Sequence, residues 1–229
     1  MAKIIPIERG KIRLPGPRDR TTIIGPTGSG KTHAAIWHLS HASFDIRPWL
    51  VIDPKREELI AQIDGAEYIP IGEIPKYPGI YVVNPIPSDA PLLDKLLLDI
   101  WDHENIGIWL DEGLMFGNGD GVDAVLTQGR SKKIPVIFLM QRPVWVSRFA
   151  VSEATFVQYF GLSDKRDQAT VQSFAENLPI SVPLEQYHSF YYDVPKRTNY
   201  HFKPMPEAQT ILNRINARLD AMKPQHKVI

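Results

Sequence analysis

Cysteine is absent from the 229-residue chain. That excludes disulfides and thiolate-held metals, and it fits a reducing compartment. Excess charge is absent too: 26 lysines and arginines face 26 aspartates and glutamates. No bulk field demands nucleic acid or an acidic membrane surface, so contact with either must come from local clusters. Long apolar runs are also missing. The longest, Ile134 to Met140, falls far short of the ~20 residues that span a bilayer. Met1 to Arg9 is too short and too charged for a secretory signal. A soluble protein without a transmembrane segment is expected. No repeat or low-complexity tract occurs, and most of the 20 prolines stand between apolar segments as loop punctuation. The length suits a single domain, 1–229, with a full core.

Against that plain background stands Gly25-Pro26-Thr27-Gly28-Ser29-Gly30-Lys31-Thr32. It fits the phosphate-loop pattern G-x-x-x-x-G-K-S/T at every fixed position. Arg20 to Ile24 before it reads as a strand, and His33 to Leu39 after it as a helix. In that context the glycines let successive N–H groups turn inward toward an anion, and the helix start adds partial positive charge. Lys31 is expected to reach the β- and γ-phosphates of ATP, and the Thr32 hydroxyl to bind Mg²⁺.

Strands and helices alternate along the middle of the chain. Further strands are expected at Trp49–Asp53, Gly79–Asn84, Ile106–Asp111, Pro135–Gln141 and Ala154–Phe160. Helices are expected over Ala90–His103, from Gly121 to near Gly129, and over Asp164–Ala175. The strands are continuous apolar runs, which predicts an α/β fold with a mainly parallel sheet buried on both faces. A hairpin, His188–Asp193 with Thr198–Phe202, and a helix over Glu207–Met222 form a small C-terminal addition. The core is placed at about 20–175 and the extension at about 176–229. Gly25, Asp53, Asp111 and Gln141 fall at the carboxyl ends of strands, where such sheets bind ligands.

Ile106 to Leu110 runs into Asp111-Glu112, the pattern of a strand ending in a metal-binding Asp. Asp111 is assigned to Mg²⁺, through its water shell. Glu112 is placed to polarise a water for attack on the γ-phosphate. Gln141 ends the next strand and is expected to sense that phosphate or orient the water. Arg130, after the intervening helix, is a candidate arginine finger for a neighbour's nucleotide, with Arg142 and Arg148 as rivals. The histidines His33, His38 and His41 lack metal-ligand spacing and read as ordinary helix residues. Trp37, Trp101 and Trp109 read as core.

The set Leu110-Asp111-Glu112, Gly129-Arg130 and Gln141-Arg142-Pro143, with Trp49 to Lys55 ending in Asp-Pro-Lys, resembles the FtsK–HerA superfamily of RecA-like P-loop ATPases. The likeness covers about residues 20 to 175. It implies a three-layer fold of the ASCE type. At this length the chain is expected to hold the bare motor, and so resembles the genome-packaging ATPases of tailless, often membrane-containing double-stranded DNA viruses. The resemblance implies a homo-oligomeric ring, commonly a hexamer, that pushes double-stranded DNA into a capsid. Its partners would be capsid-vertex or membrane proteins of a virion, and its place the host cytoplasm or the vertex. Arg9, Lys11, Arg13, Arg18, Arg20, Lys165-Arg166 and Lys196-Arg197 are the basic spots able to meet phosphates. A cellular translocase, a virion-assembly ATPase and a small-molecule or nucleoside kinase are the alternatives. Glu112 directly after Asp111 favours water over a kinase acceptor.

Overall fold

A computed structural model describes residues 4–5, 12–111 and 119–223. In chain order its elements are β1 (Ile4–Ile5), β2 (Arg20–Ile24), α1 (Lys31–His41), β3 (Pro48–Ile52), α2 (Glu58–Ala61), β4 (Glu67–Tyr68), β5 (Gly79–Val83), α3 (Ala90–His103), β6 (Gly107–Leu110), α4 (Asp120–Gln128), β7 (Val136–Met140), α5 (Phe149–Ser152), β8 (Phe156–Tyr159), α6 (Lys165–Phe174), β9 (Ser189–Asp193), β10 (Thr198–Phe202) and α7 (Ala208–Met222). The strands form one sheet in the order β1-β10-β9-β8-β2-β7-β6-β3-β5-β4. From β8 to β4 every pairing is parallel. Only β9 runs against the others, pairing antiparallel with both β8 and β10.

Alternation along each strand explains the layers. Leu50 and Ile52 of β3 face one core with Phe138 and Met140, while Trp49 and Val51 face the other with Ile137 and Leu139. Helices α3, α4, α5 and α6 cover the first face; α1, α2 and α7 cover the second. Each fully buried branched side chain contributes roughly 1.5–3 kcal/mol. Strands apolar on both faces are therefore stable only when sandwiched in this way.

The predicted parallel α/β sheet is present, and α3 has the predicted bounds. The hairpin takes a more integral place than an addition. Its register, Tyr159 opposite Phe190 and Phe156 opposite Asp193, continues the main sheet beyond β8. Ser189 to Asp193 is buried throughout, so edge pairing on β8 satisfies backbone groups that a separate hairpin would leave to water. Trp109 is fully buried, and Trp37 and Trp101 pack partly buried against the cores. Among the described residues, no helix is long and apolar enough to cross a membrane.

One basic residue named from the sequence has a structural role. Arg20 is buried, and its guanidinium donates to the carbonyls of Glu153 at 2.6 Å and Leu126 at 2.7 Å. Burial lowers its pKa, and these bonds occupy the fork that a DNA phosphate would need. Arg13 pairs with Asp19 at 2.7 Å. Arg9 and Lys11 lie outside the described residues.

Candidate active site

Because β2, β3, β6 and β7 are parallel, the residues following them meet at one edge. Gly25, Asp53, Asp111 and Gln141 are those residues. The Gly25 N–H donates to the Met140 carbonyl at 3.3 Å, tying the start of the loop to the end of β7. The Asp111 N–H donates to the Ile52 carbonyl at 3.2 Å, tying β6 to β3.

The loop itself is shaped for an anion. Gly28 and Gly30 have φ of 76° and 99°, in the left-handed region that glycine occupies without penalty. A Cβ on Gly25 would come within 2.7 Å of the Phe160 Cβ and 2.8 Å of the Ser29 hydroxyl, so only glycine fits there. Helix α1 starts at Lys31 with no acidic residue in its first turn, so its N-terminal field is uncancelled from within. The Lys31 ammonium donates to the Pro26 carbonyl at 2.7 Å, folded back across its own loop. The Thr27 hydroxyl donates to Gln141 Oε1 at 2.9 Å. Gln141, chosen from the sequence as a strand-end polar group, therefore touches the phosphate loop directly.

The donor set also suits a divalent cation. Asp111 is 1% exposed, and the Lys55 ammonium stands 3.7 Å from its Oδ1. A buried carboxylate at the sheet edge, with the Thr32 hydroxyl next to Lys31 at the start of α1, is an oxygen donor set of the kind that fits a divalent cation. Asp53, on the neighbouring strand, is equally buried. Burial pushes its carboxyl up to about 6; the Glu57 N–H bonded to it opposes the rise, and the Asp111 charge adds to it. Asn84 fixes this turn by donating to the Asp53 carbonyl at 2.8 Å. Asp53 and Lys55 carried no assigned role in the sequence reading, although Asp-Pro-Lys stood out as a motif. Their importance comes from the β3–β6 pairing, which sets Lys55 against Asp111.

The arginines separate clearly. Arg142 follows Gln141 on the loop edge and is held there: Nε donates to Asp167 at 2.6 Å and Nη2 to Asp164 at 3.3 Å. Its plane lies 4.5 Å from the centre of the Trp145 ring. Arg148 is exposed over Phe149. Arg130 is exposed at the opposite edge, where its charge lowers the pKa of Arg20 at the start of β2. The five residues of β2 put about 16 Å between the two edges, beyond the reach of Arg130 to its own subunit's loop. Glu112 lies outside the described residues, as do residues 113–118 after it.

A parallel sheet with helices on both faces, bearing a glycine loop and an acidic strand end at one edge, defines a RecA-like P-loop nucleotide-binding protein. Comparisons with known proteins narrow the class. The chain is 45% identical over 216 residues, 90% of its length, to the DNA packaging ATPase P9 of Enterobacteria phage PRD1, of which it covers 95%. The chain belongs to that family of viral DNA-packaging ATPases. Among solved structures it is similar to the genome packaging NTPase B204 of Sulfolobus turreted icosahedral virus 2 in complex with ATP-gammaS. That match has a TM-score of 0.65 at 17% identity and covers 83% of this chain and 99% of the other. VirB4 of Thermoanaerobacter pseudethanolicus matches with a TM-score of 0.61 at 11% identity, covering 85% and 92%. At such identities these two show the fold alone. No protein-family model matches the chain.

Proposed function

We propose that this chain is an ATP-hydrolysing motor that moves double-stranded DNA into a viral capsid. Its family membership supports the packaging role. The observation that carries the mechanism is the meeting of the phosphate loop, Asp111 and Gln141 at one sheet edge. Gly25, Pro26, Thr27, Gly28, Ser29, Gly30, Lys31 and Thr32 would cradle the phosphates with backbone N–H groups and the Lys31 ammonium. Lys31 exchanges its bond to the Pro26 carbonyl for phosphate oxygens. Thr32 and Asp111 would hold Mg²⁺, which when bound neutralises charge on the β- and γ-phosphates. Glu112, by its position after Asp111, would take the proton of the attacking water. Gln141 leaves Thr27 to meet the γ-phosphate, so occupancy of the loop is read at the end of β7.

Arg130 lies near the start of β2, at the sheet edge opposite its own subunit's phosphate loop. That position supports a role in trans, in which Arg130 would complete a neighbour's site in a homo-oligomeric ring, with a hexamer as the working assembly. The virion vertex and its membrane proteins are the expected partners. Steady-state ATP hydrolysis over a range of protein concentrations, with and without double-stranded DNA, tests this reading. Rates per subunit that rise with concentration and with DNA support it. A rate indifferent to both would remove the shared site and the DNA coupling together.

A further inference from the structure

A cavity of about 350 Å³ opens beside the phosphate loop, at Gly30 and His33, and no step above uses it. It runs from the first turn of α1 toward the segment after β10. Two aromatic side chains flank its inner end. Phe160, which follows β8, is 8% exposed, and its Cε1 stands 3.6 Å from the place a Gly30 Cβ would take. The Tyr187 Cδ1 stands 3.4 Å from the same point. Pro204 and Met205 form the outer wall, and a 2.7 Å bond between His33 Nε2 and the Pro206 carbonyl pins that wall to α1.

Tyr187 is unusual twice over. Its ring is half-exposed, 48% by area, beside a loop built to bind an anion. Its backbone has φ of 62°, a left-handed conformation that bulky residues avoid. The turn is held in place, since the His188 N–H donates to the Glu185 carbonyl at 3.1 Å and the His188 ring bonds His201 at 3.0 Å. Strain of this kind persists only where the surroundings impose it, and it collects at ligand clamps. Here it sets an aromatic ring against Gly30, at the end of the cavity next to the phosphate loop.

We infer that this cavity is the nucleobase subsite of the ATP site, with Tyr187 as the stacking platform, Phe160 as the floor, and Pro204 and Met205 as the outer wall. The inference rests on the ATPase reading and adds the part of the ligand that the phosphate loop leaves unread. With the phosphates on 25–32, the sugar and base must leave the loop past its last glycine and the first turn of α1. The cavity begins there. Its volume lies in the range of small-molecule sites, and its walls are mostly apolar and aromatic with two polar side chains, His33 and Glu207, the usual make-up of such pockets. Stacking recognises any flat ring, so the subsite holds a base through its area more than through its edge pattern.

The test compares two probes on the full chain by calorimetry, ATP and inorganic tripolyphosphate, for the wild type, Tyr187→Ala and Tyr187→Phe. The wild type is expected to bind ATP more tightly than tripolyphosphate. Tyr187→Ala should weaken ATP about tenfold or more, in line with the loss of one stacked base, and leave tripolyphosphate unchanged. Tyr187→Phe should keep most of the ATP affinity, because the ring remains. Unchanged ATP affinity in Tyr187→Ala overturns the subsite while leaving the phosphate site standing. Equal losses for both probes also overturn it, since Tyr187 then supports only the loop. A wild type that binds neither probe overturns the nucleotide reading, and the subsite with it.

Discussion

His38 gives a sharp prediction about acid sensitivity. It lies on α1, the helix that starts in the phosphate loop, and is 3% exposed. Its Nε2 meets Gln158 Oε1 at 2.7 Å, and Gln158 donates in turn to the Ser189 hydroxyl at 2.9 Å, so the ring docks α1 onto β8 and β9. Burial lowers its pKa from 6.5 to about 4, against the Gln158 bond, which raises it; His41 lowers it further. Between those two values the unfolded chain takes up a proton that the folded chain refuses. Stability is therefore complete above pH 6.5 and is lost as pH falls toward 4. At pH 5 the loss from this one group is about 2 kcal/mol. That is a large share of the ~5–15 kcal/mol that holds a domain folded. Urea unfolding of the wild type and of His38→Gln at pH 7.5 and pH 5 measures it. The glutamine keeps a donor for Gln158 and cannot be charged, so the variant should lose about 2 kcal/mol less than the wild type between the two pH values. All other titrating groups are common to both proteins and cancel. Equal losses would refute a neutral, buried His38.

Three further outcomes are expected. Arg130→Ala should reduce turnover in the assembled protein and leave each subunit's own affinity for ATP nearly unchanged; a parallel fall in affinity, read by calorimetry, would place Arg130 in cis. Glu112→Gln should bind ATP and fail to turn it over, and a retained rate in a phosphate-release assay would remove Glu112 as the base. Asp167→Ala removes the acceptor of Arg142 Nε at 2.6 Å and of the Val144 N–H at 3.0 Å. It should destabilise the fold by about 1–3 kcal/mol in urea unfolding, and no change would mean that Asp164 alone holds the loop after Gln141.

Much of the site could be read before any fold was known, for a local reason. The phosphate loop is eight consecutive residues whose backbone does the binding, so its spacing is its function. Asp111 and Gln141 were legible as polar residues that end apolar strands. Asp53 was legible as a strand end, but its closeness to Asp111, and the place of Lys55 beside it, depend on β3 lying against β6, a pairing that the linear order does not state. Tyr187 was hidden for the same reason. Residues 187 and 30 meet because antiparallel β9 begins beside the carboxyl end of β8, with Phe190 opposite Tyr159, so the residues just before it lie at the nucleotide edge. In the fold, the helical period of α3 was clear from its leucines and Ile100. Strand β4, two exposed residues at the sheet margin, has no apolar pattern to announce it. Arg20 misled in the opposite direction: its charge suggests a surface contact, and only the carbonyls around it reveal a buried brace.

The position of β2 also bears on how the chain comes to be folded. This strand delivers the phosphate loop, yet its partners are β7 and β8, with Arg20 opposite Val136 and Thr21 opposite Phe156. During synthesis β2 leaves the ribosome early and stays without either neighbour until residues 136–159 have emerged. Pairs nearer in sequence, such as Pro48 with Gly79 in β3 and β5, close smaller loops at lower entropic cost. The half of the sheet carrying Asp53 can thus assemble before the half carrying Lys31. The catalytic edge comes into being last, when β2 slots between strands made long after it, and a chain stopped short of β8 would display an apolar strand and an open phosphate loop to whatever is nearby.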